Sequence, residues 1–295
     1  MAGMSTPILY CCDPLKPRRV DEHFAYEAQL LEVSGNAVAV IDHDALLRGD
    51  AERAVERVPR GLGAAWYRGW MMPADRYGDL ARALRLRGAD LVVTPEEYRS
   101  AHELPGWYEA FSELTPVSAW VAARPEEVPD QRALAALAEQ LCPGAGIVKD
   151  YVKSRKHEWA EACFIPDLSD AAAVARIVGR FVELQGEDLT GGVVLREFES
   201  FVEIGPQCEQ GRVWWLDGQA YLVTPHPDGP DELGMIPELE PVEEAVRRLG
   251  ARFVTTDIAL RADGVWRVVE VGDGQVSDLH KSVDPAELVF EILAA

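Results

Sequence analysis

Three of the five lysines in this 295-residue chain stand within one window of eight residues. They are Lys149, Lys153 and Lys156, and they follow the apolar run at positions 146–148. The chain has a formal net charge of −21, so a concentration of positive charge stands out. Lysine carries a compact cation on a flexible stem, which suits phosphate oxygens. The window therefore indicates either a phosphate site or a solvated basic turn.

Two carboxylates form a second candidate cluster. Asp257 and Glu270 lie in apolar segments on either side of the turn at Asp263-Gly264, and counting back across that turn places them near each other. A carboxylate among apolar residues is costly unless it is paired or binds a cation. Mg²⁺ favours one or two carboxylates together with substrate phosphates. The pair predicts a divalent metal site; alternatively, one or both side chains face solvent, because strand residues alternate between faces.

The composition is that of a globular protein, with 48% hydrophobic and 27% charged residues. Its acidity disfavours nucleic acid and membrane surfaces as partners, because such partners need a basic protein surface. No apolar run reaches the length of a membrane span, and the first ten residues lack a basic region followed by an apolar signal core. The five cysteines show no metal-ligand spacing and are expected to be reduced thiols. We therefore expect a cytoplasmic protein.

The chain changes character near residue 115. Before it, apolar strands alternate with helical segments, which indicates βαβ units on a parallel sheet. After it, strands and hairpins are expected to pair antiparallel, so the fold class is α/β plus α+β. Strand alternation predicts that only one of Trp214 and Trp215 faces the core. The predicted units are an N-terminal α/β domain over 1–114 and two further subdomains over 115–200 and 201–295.

Five short segments, in order along the chain, resemble the dispersed signature of the ATP-grasp superfamily. The resemblance covers roughly residues 115–285, and the preceding α/β unit is similar to the family's N-terminal pre-ATP-grasp domain. It implies an ATP-grasp fold. The segments are Ile147-Val148-Lys149, Val194-Leu195-Arg196-Glu197-Phe198, Gly211-Arg212-Val213, Asp257-Ile258-Ala259-Leu260 and Val269-Glu270-Val271.

The resemblance also implies ATP and Mg²⁺ as cofactors and a role for each matched residue. The nucleotide positions serve the α- and β-phosphates, adenine (through backbone groups) and ribose; they are Lys149, Glu197 with Phe198, and Glu203, respectively. The catalytic positions lie over the β- and γ-phosphates and the transferring phosphoryl group; they are Lys153, Lys156 and Arg212. The metal positions are Asp257, Glu270 and Asp273.

The chain departs from the family pattern at three places. Gly272 stands where the family has a metal-binding asparagine, so Asp273 or a water is expected to supply that ligand. No lysine occurs between residues 17 and 148, so Lys153 or Lys156 is expected to take the role of the family's first phosphate lysine. The segment 151–159 replaces a glycine-rich lid loop. The strings at 149–154 and 273–277 resemble a divergent clade often found with peptide-tailoring or natural-product genes.

The resemblance implies an ATP-dependent carboxylate–amine ligase, in which ATP phosphorylates a carboxylate and an amine attacks the acyl phosphate. The expected partners are small-molecule or peptide carboxylates and amines, and the formation of a homodimer is left open. A phosphotransferase on the same fold and a non-catalytic nucleotide-binding module are the alternatives. The segment 150–163 is expected to be a mobile lid, because its like charges repel without a bound anion. These charges belong to Lys153, Arg155, Lys156 and His157.

Overall fold

The computed structural model describes residues 6–204 and 207–294. The first five residues, on which the expectation about a signal sequence partly depends, lie outside that range. No helix in the described part of the chain is long and apolar enough to cross a membrane.

The N-terminal sheet is built mainly from parallel strands, as the alternating pattern predicts. Its strands are β1 (Ile8–Asp13), β2 (Lys16–Val20), β3 (Val38–Ile41), β4 (Gly63–Arg68) and β5 (Ala89–Leu91). β1 pairs in parallel with β3 on one side and with β4 on the other, and β5 follows β4 in parallel. The unpredicted β2 pairs antiparallel with the end of β1. It was missed because it is a mostly exposed, charged segment without an apolar pattern.

Six helices belong to this N-terminal part. They are α1 (Ala25–Val33), α2 (His43–Leu47), α3 (Ala51–Ala54), α4 (Ala74–Arg85), α5 (Pro95–His102) and α6 (Leu104–Phe111). Thr94 and Glu97 form a capping box that begins α5. α6 buries Trp107 and Phe111 in a core shared with C-terminal strands. The hydrophobic core thus continues across the predicted boundary at residue 114, and the three-unit division stays a prediction.

The middle sheet is antiparallel, with strand order β6-β9-β7-β8. These strands are β6 (Ser118–Ala122), β7 (Gly146–Lys149), β8 (Phe164–Ile165) and β9 (Gly192–Glu197). The helices of this part are α7 (Gln131–Ala138), α8 (Trp159–Ala162) and α9 (Ala171–Gln185). Apolar residues of α7 and α9 form one core with the strands. β7 therefore runs through a buried sheet and delivers Lys149 at its end.

The C-terminal sheet is also antiparallel, with order β13-β12-β14-β15. Its strands are β12 (Gln210–Leu216), β13 (Gln219–Pro225), β14 (Phe253–Leu260) and β15 (Trp266–Asp273). A separate two-stranded ribbon precedes it, formed by β10 (Glu203–Ile204) and β11 (Gln207–Cys208). The remaining helices are α10 (Glu240–Leu249) and α11 (Pro285–Ala294). The predicted antiparallel character of the second half is confirmed.

Both faces of the C-terminal sheet are covered, which corrects the expectation for the tryptophan pair. Trp214 and Trp215 are both fully buried. Trp214 packs in the core of the N-terminal sheet, whereas Trp215 packs in the core that holds α6 and α10. The alternation of β12 holds, but each face meets apolar partners. The C-terminal sheet therefore lies between two cores.

Candidate functional site

Lys149 stands at the end of β7 with its side chain buried. Its Nζ donates to the carbonyl oxygen of Val152 at 3.3 Å and lies 3.9 Å from Oε1 of Glu270. Burial lowers the pKa of Lys149, and the Glu270 carboxylate opposes that shift. The middle sheet and the C-terminal sheet thus meet at the predicted phosphate lysine and one predicted metal ligand.

Asp257 and Glu270 are direct cross-strand neighbours, as counting across the turn predicts. They pair between β14 and β15, and Arg212 of β12 pairs with Asp257 from the other side. Nε of Arg212 donates to Oδ1 of Asp257 at 2.8 Å, and Nη2 donates to Oδ2 at 2.9 Å. Burial alone raises the pKa of Asp257, but Arg212 and His226 outweigh it and hold that pKa below its ordinary range. Three predicted site residues thus form one row across the sheet.

His226, directly after β13, joins this row and was missed by the sequence analysis. Its Nδ1 accepts the backbone N–H of Asp228 at 3.1 Å, which places the proton of the neutral ring on Nε2. Nε2 lies 3.3 Å from Oδ2 of Asp257 and donates to it. His226 therefore orients the Asp257 carboxylate. A single histidine after a strand has no spacing pattern that would have revealed this role.

The Asp257–Glu270 pair fits Mg²⁺ through its donor chemistry. The two carboxylates lie side by side on neighbouring strands, and Mg²⁺ usually takes one or two carboxylates, substrate phosphates and several waters. Within residues 6–204 and 207–294, no cluster of three or more His, Cys, Asp and Glu side chains is arranged to hold a metal ion. The site therefore suits a cation that arrives with a nucleotide.

Asp273 does not join this pair, although the sequence analysis proposed it as a metal ligand. Its Oδ1 accepts hydrogen bonds from the backbone and side-chain N–H groups of Gln275 at 2.9 and 3.0 Å. The Gln275 side chain also donates to the Tyr77 hydroxyl at 3.1 Å. Burial raises the pKa of Asp273 to about 7, against the opposing effect of Gln275. Strand alternation turns Asp273 away from the Glu270 face and toward the N-terminal part.

The loop after β7 is organised by the buried carboxylate of Asp150. Its Oδ1 accepts the backbone N–H groups of Val152 and Lys153 at 2.7 and 2.5 Å, and its Oδ2 accepts from Gln185 at 2.9 Å. Lys153 and Lys156 are exposed. The two lysines predicted to contact phosphates thus project from a loop that is fastened at its base.

Arg155 corrects the expectation of four unneutralised basic side chains in the lid. Its Nε and Nη2 donate to the two carboxylate oxygens of Glu158 at 3.1 and 2.9 Å. Its Nη1 donates to the carbonyl oxygen of Leu184 and to Oε1 of Gln185, both at 3.1 Å. The sequence analysis counted cations but overlooked the acid three residues later. Arg155 therefore fastens the loop to α9 and is not available for a phosphate.

The predicted adenine segment ends β9. The amide N–H of Glu197 donates to the Val117 carbonyl oxygen and that of Phe198 to the Ala145 carbonyl oxygen, both at 2.9 Å. These two donors are thus already bonded within the protein, and adenine recognition at this segment stays a prediction. Glu203, the predicted ribose acid, is exposed on β10.

The side chain of Phe198 offers a second type of contact. It forms an aromatic cluster with Trp159 and Phe164, whose ring centroids lie 5.9 and 5.3 Å from its own. Phe198 and Trp159 are 39% and 41% exposed, which leaves ring surface open for stacking on a base. The sequence analysis considered only the backbone at this position.

Arg196 is a further buried cation beside the row of charges. Its Nη1 donates to the carbonyl oxygen of Val269 at 2.7 Å, and its Nη2 donates to Oγ1 of Thr115. Burial lowers the pKa of Arg196 to about 10, and Glu270 opposes the shift. Arg196 therefore adds positive charge near Glu270 while it ties the middle sheet to β15.

The comparisons with known proteins agree with this arrangement. A family model of the ATP-grasp domain, the third family of one clade of that superfamily, matches residues 136–292. The chain belongs to this ATP-grasp family. The predicted membership of the superfamily is confirmed, and the matched range includes the lysine window and the row of Arg212, Asp257 and Glu270. No curated protein sequence matches the chain significantly.

Solved ATP-grasp structures are similar over almost the whole chain. The ATP-grasp ligase PsnB, complexed with a minimal precursor, Mg and ADP, is 15% identical with a TM-score of 0.57 and 97% of each chain covered. D-alanyl-alanine synthetase A from Vibrio cholerae is 12% identical with a TM-score of 0.56 and full coverage of both chains. The macrocyclase MdnC from Microcystis aeruginosa, bound with precursor peptide MdnA, is 13% identical with a TM-score of 0.53, covering 98% of this chain and 99% of that one. At these identities the likeness shows the fold, and the predicted ATP-grasp fold is confirmed.

Within this ATP-grasp site, the charged groups neutralise each other. Lys149 lies beside Glu270, and Arg212 is bonded to Asp257. A triphosphate would compete for the two cations, and a divalent cation would compete for the two carboxylates. The arrangement can therefore accept a nucleotide and a metal ion together at little cost in unpaired charge.

Proposed function

We propose that this chain is an ATP-dependent ligase that joins a carboxylate to an amine through an acyl phosphate. The observation that carries the proposal is the meeting of Lys149 with the row of Arg212, Asp257 and Glu270. Phosphoryl transfer depends mainly on positioning and on neutralising phosphate charge, and these four side chains supply both kinds of charge in one place. Family membership and the fold shared with several ligases support the same reaction.

In this proposal, each residue acts on the triphosphate or on the transferring group. Lys149 binds α- and β-phosphate oxygens, while Lys153 and Lys156 approach the β- and γ-phosphates from the loop. Arg212 stabilises negative charge on the transferring phosphoryl group. Asp257 and Glu270 would hold Mg²⁺, which neutralises the phosphates when bound.

The reaction proceeds in two steps that the chain must keep dry. A carboxylate oxygen of the substrate attacks the γ-phosphorus, and ADP leaves. The amine nitrogen then attacks the acyl carbon, phosphate leaves and the nitrogen loses a proton. Water would hydrolyse the acyl phosphate, so Lys153 and Lys156 are expected to close over it with their loop.

The substrates belong to one of two classes. PsnB and MdnC were solved with precursor peptides, whereas D-alanyl-alanine synthetase A carries a small molecule in its name. We propose a peptide or small-molecule carboxylate for this chain, activated in the cytoplasm. Free thiols at Cys11, Cys12, Cys142 and Cys163 support that location.

A hydroxylamine trap tests the proposed reaction without knowledge of the natural amine. The protein is incubated with ATP, Mg²⁺, hydroxylamine and a panel of amino acids and of peptides that carry Asp or Glu. We expect ADP, free phosphate and a hydroxamate with at least one carboxylate, because hydroxylamine attacks acyl phosphates. Glu270→Gln should abolish all three products.

The same experiment separates the alternatives. Phosphate retained on the organic product would identify a phosphotransferase. Tight ATP binding without turnover across the panel would identify a non-catalytic module, an outcome that Gly272 in the asparagine position favours. Either result would contradict the ligase proposal.

A further inference from the structure

Two buried hydroxyl groups lie where the missing asparagine side chain would begin. Thr255 pairs with Gly272 across β14 and β15, two residues along from the Asp257–Glu270 pair. Because strand residues alternate, all four positions share one face of the sheet. A Cβ atom placed on Gly272 would lie 3.2 Å from Oγ1 of Thr255 and 3.5 Å from Oγ of Ser277. The space beside Gly272 is therefore lined by hydroxyl oxygens.

The hydrogen bonds of these hydroxyls leave one oxygen free to accept. Oγ of Ser277 donates to the carbonyl oxygen of Asp273 at 2.9 Å and lies 2.7 Å from Oγ1 of Thr255. Since the Ser277 proton is used, Thr255 donates to Ser277. In the described part of the chain, no donor is then directed at the lone pairs of Thr255 Oγ1, apart from its weak 3.5 Å approach to Gly272 O, another acceptor. Ser277 thus fixes the Thr255 hydroxyl with its acceptor side open.

The distances match one water molecule. An asparagine carries its amide oxygen about 2.4 Å beyond Cβ, as standard bond lengths give. A water bound to a hydroxyl lies about 2.8 Å from it, so a water on Thr255 would reach a similar depth in the site. Mg²⁺ readily keeps several waters in its coordination shell.

We propose that the Thr255 hydroxyl, oriented by Ser277, holds a metal-bound water in place of the family's asparagine side chain. The proposal rests on the proposed function, because it requires the cation to bind with ATP at Asp257 and Glu270. It assigns Thr255 and Ser277 as positioning residues for the metal. Gly272 is then the vacancy that leaves room for the water.

Manganese titration of the nucleotide complex tests this assignment. Free Mn²⁺ is measured by electron paramagnetic resonance with the non-hydrolysable analogue AMPPNP present. We expect Thr255→Val to weaken Mn²⁺ binding about 10- to 100-fold, which is typical for loss of an outer-shell partner, and to leave metal-free nucleotide affinity unchanged. Thr256→Val is the matched control, because Thr256 bonds to Trp215 at 2.9 Å on the opposite face. It should leave Mn²⁺ affinity within about threefold of the parent protein.

A compensating variant makes the test independent of folding defects. Thr255→Ala combined with Gly272→Asn removes the hydroxyl and supplies the carboxamide, and it should restore Mn²⁺ affinity toward that of the parent protein. If Thr255→Val does not fold by circular dichroism, Ser277→Ala replaces it with the same expected weakening. Unchanged Mn²⁺ affinity in the hydroxyl variants, or failure of the compensating variant to recover affinity, would overturn the proposal. Failure of the parent protein to bind AMPPNP with Mn²⁺ would instead overturn the proposed function.

Discussion

Arg212 donates two hydrogen bonds, of 2.8 and 2.9 Å, to the carboxylate of Asp257, its direct neighbour across β12 and β14. Its Nη1 donates to the carbonyl oxygen of Asp278 at 2.9 Å. The two charged side chains are only 13% and 7% exposed. The candidate catalytic arginine thus neutralises a candidate metal ligand while no nucleotide is bound.

Asp257→Asn should destabilise the fold as well as the site. The variant leaves the Arg212 guanidinium buried without a counterion, which costs about 3–5 kcal/mol for a broken buried pair. Asp263→Asn is the control, because Asp263 pairs with Arg261 at a turn where its side chain is 54% exposed. That loss should be about 1 kcal/mol or less. Urea unfolding monitored by tryptophan fluorescence compares the two; equal losses would contradict a buried ion pair.

Asp273 should make stability fall as the pH rises. Burial raises its folded pKa to about 7, against an unfolded value of about 3.9. Below about pH 4 both states hold the proton; between about 4 and 7 the unfolded chain releases it first, so stability is lost. Asp273→Asn has no such proton. The parent protein minus variant difference in melting temperature should decline between pH 4 and 8, and a constant difference would contradict this.

Lys149→Met should weaken ATP binding far more than Lys281→Met. Methionine keeps the apolar stem of buried Lys149 but removes its charge, and a lost charge-assisted phosphate contact costs about 1.5–3 kcal/mol. Lys281 is 75% exposed and pairs with Asp231 at 2.7 Å, so it serves as the control. Isothermal titration with ATP and Mg²⁺ measures both affinities. Similar losses in the two variants would mean that the lysine window is only a basic turn.

Proteolysis should distinguish the free cations of the loop from the fastened one. Trypsin should cleave after the exposed Lys153 and Lys156 more readily than after Arg155, which is bonded to Glu158 and to α9. ATP with Mg²⁺ should protect the two lysine sites, because the loop then closes on the phosphates. Mass spectrometry of short digests locates the cuts. Unchanged cleavage with nucleotide would show that this loop is not the phosphate lid.

Local patterns were sufficient for some of this site. Asp257 and Glu270 were predicted to be neighbours because a hairpin fixes cross-strand partners by counting from its turn. The position of Lys149 at a strand end followed from the apolar run before it. The parallel N-terminal sheet followed from the alternation of strands and helices, which leaves few possible topologies.

Contacts between distant segments could not be predicted in the same way. His226 reaches Asp257 only because β13 lies beside β12, and Asp273 faces Tyr77 only because the N-terminal part packs on β15. Trp214 was misjudged for the same reason, since its face is covered by another part of the chain. Strand alternation predicts which side a residue faces but not what covers that side.

Calorimetric titration with ATP, with and without Mg²⁺, tests the central claim most directly. The claim is that Lys149 and Arg212 take the phosphates while Asp257 and Glu270 take the cation. We expect the parent protein to bind ATP much more tightly with Mg²⁺, and Glu270→Gln to fold normally but lose that enhancement. No binding at millimolar nucleotide in either condition, or an undiminished Mg²⁺ effect in Glu270→Gln, would contradict the account.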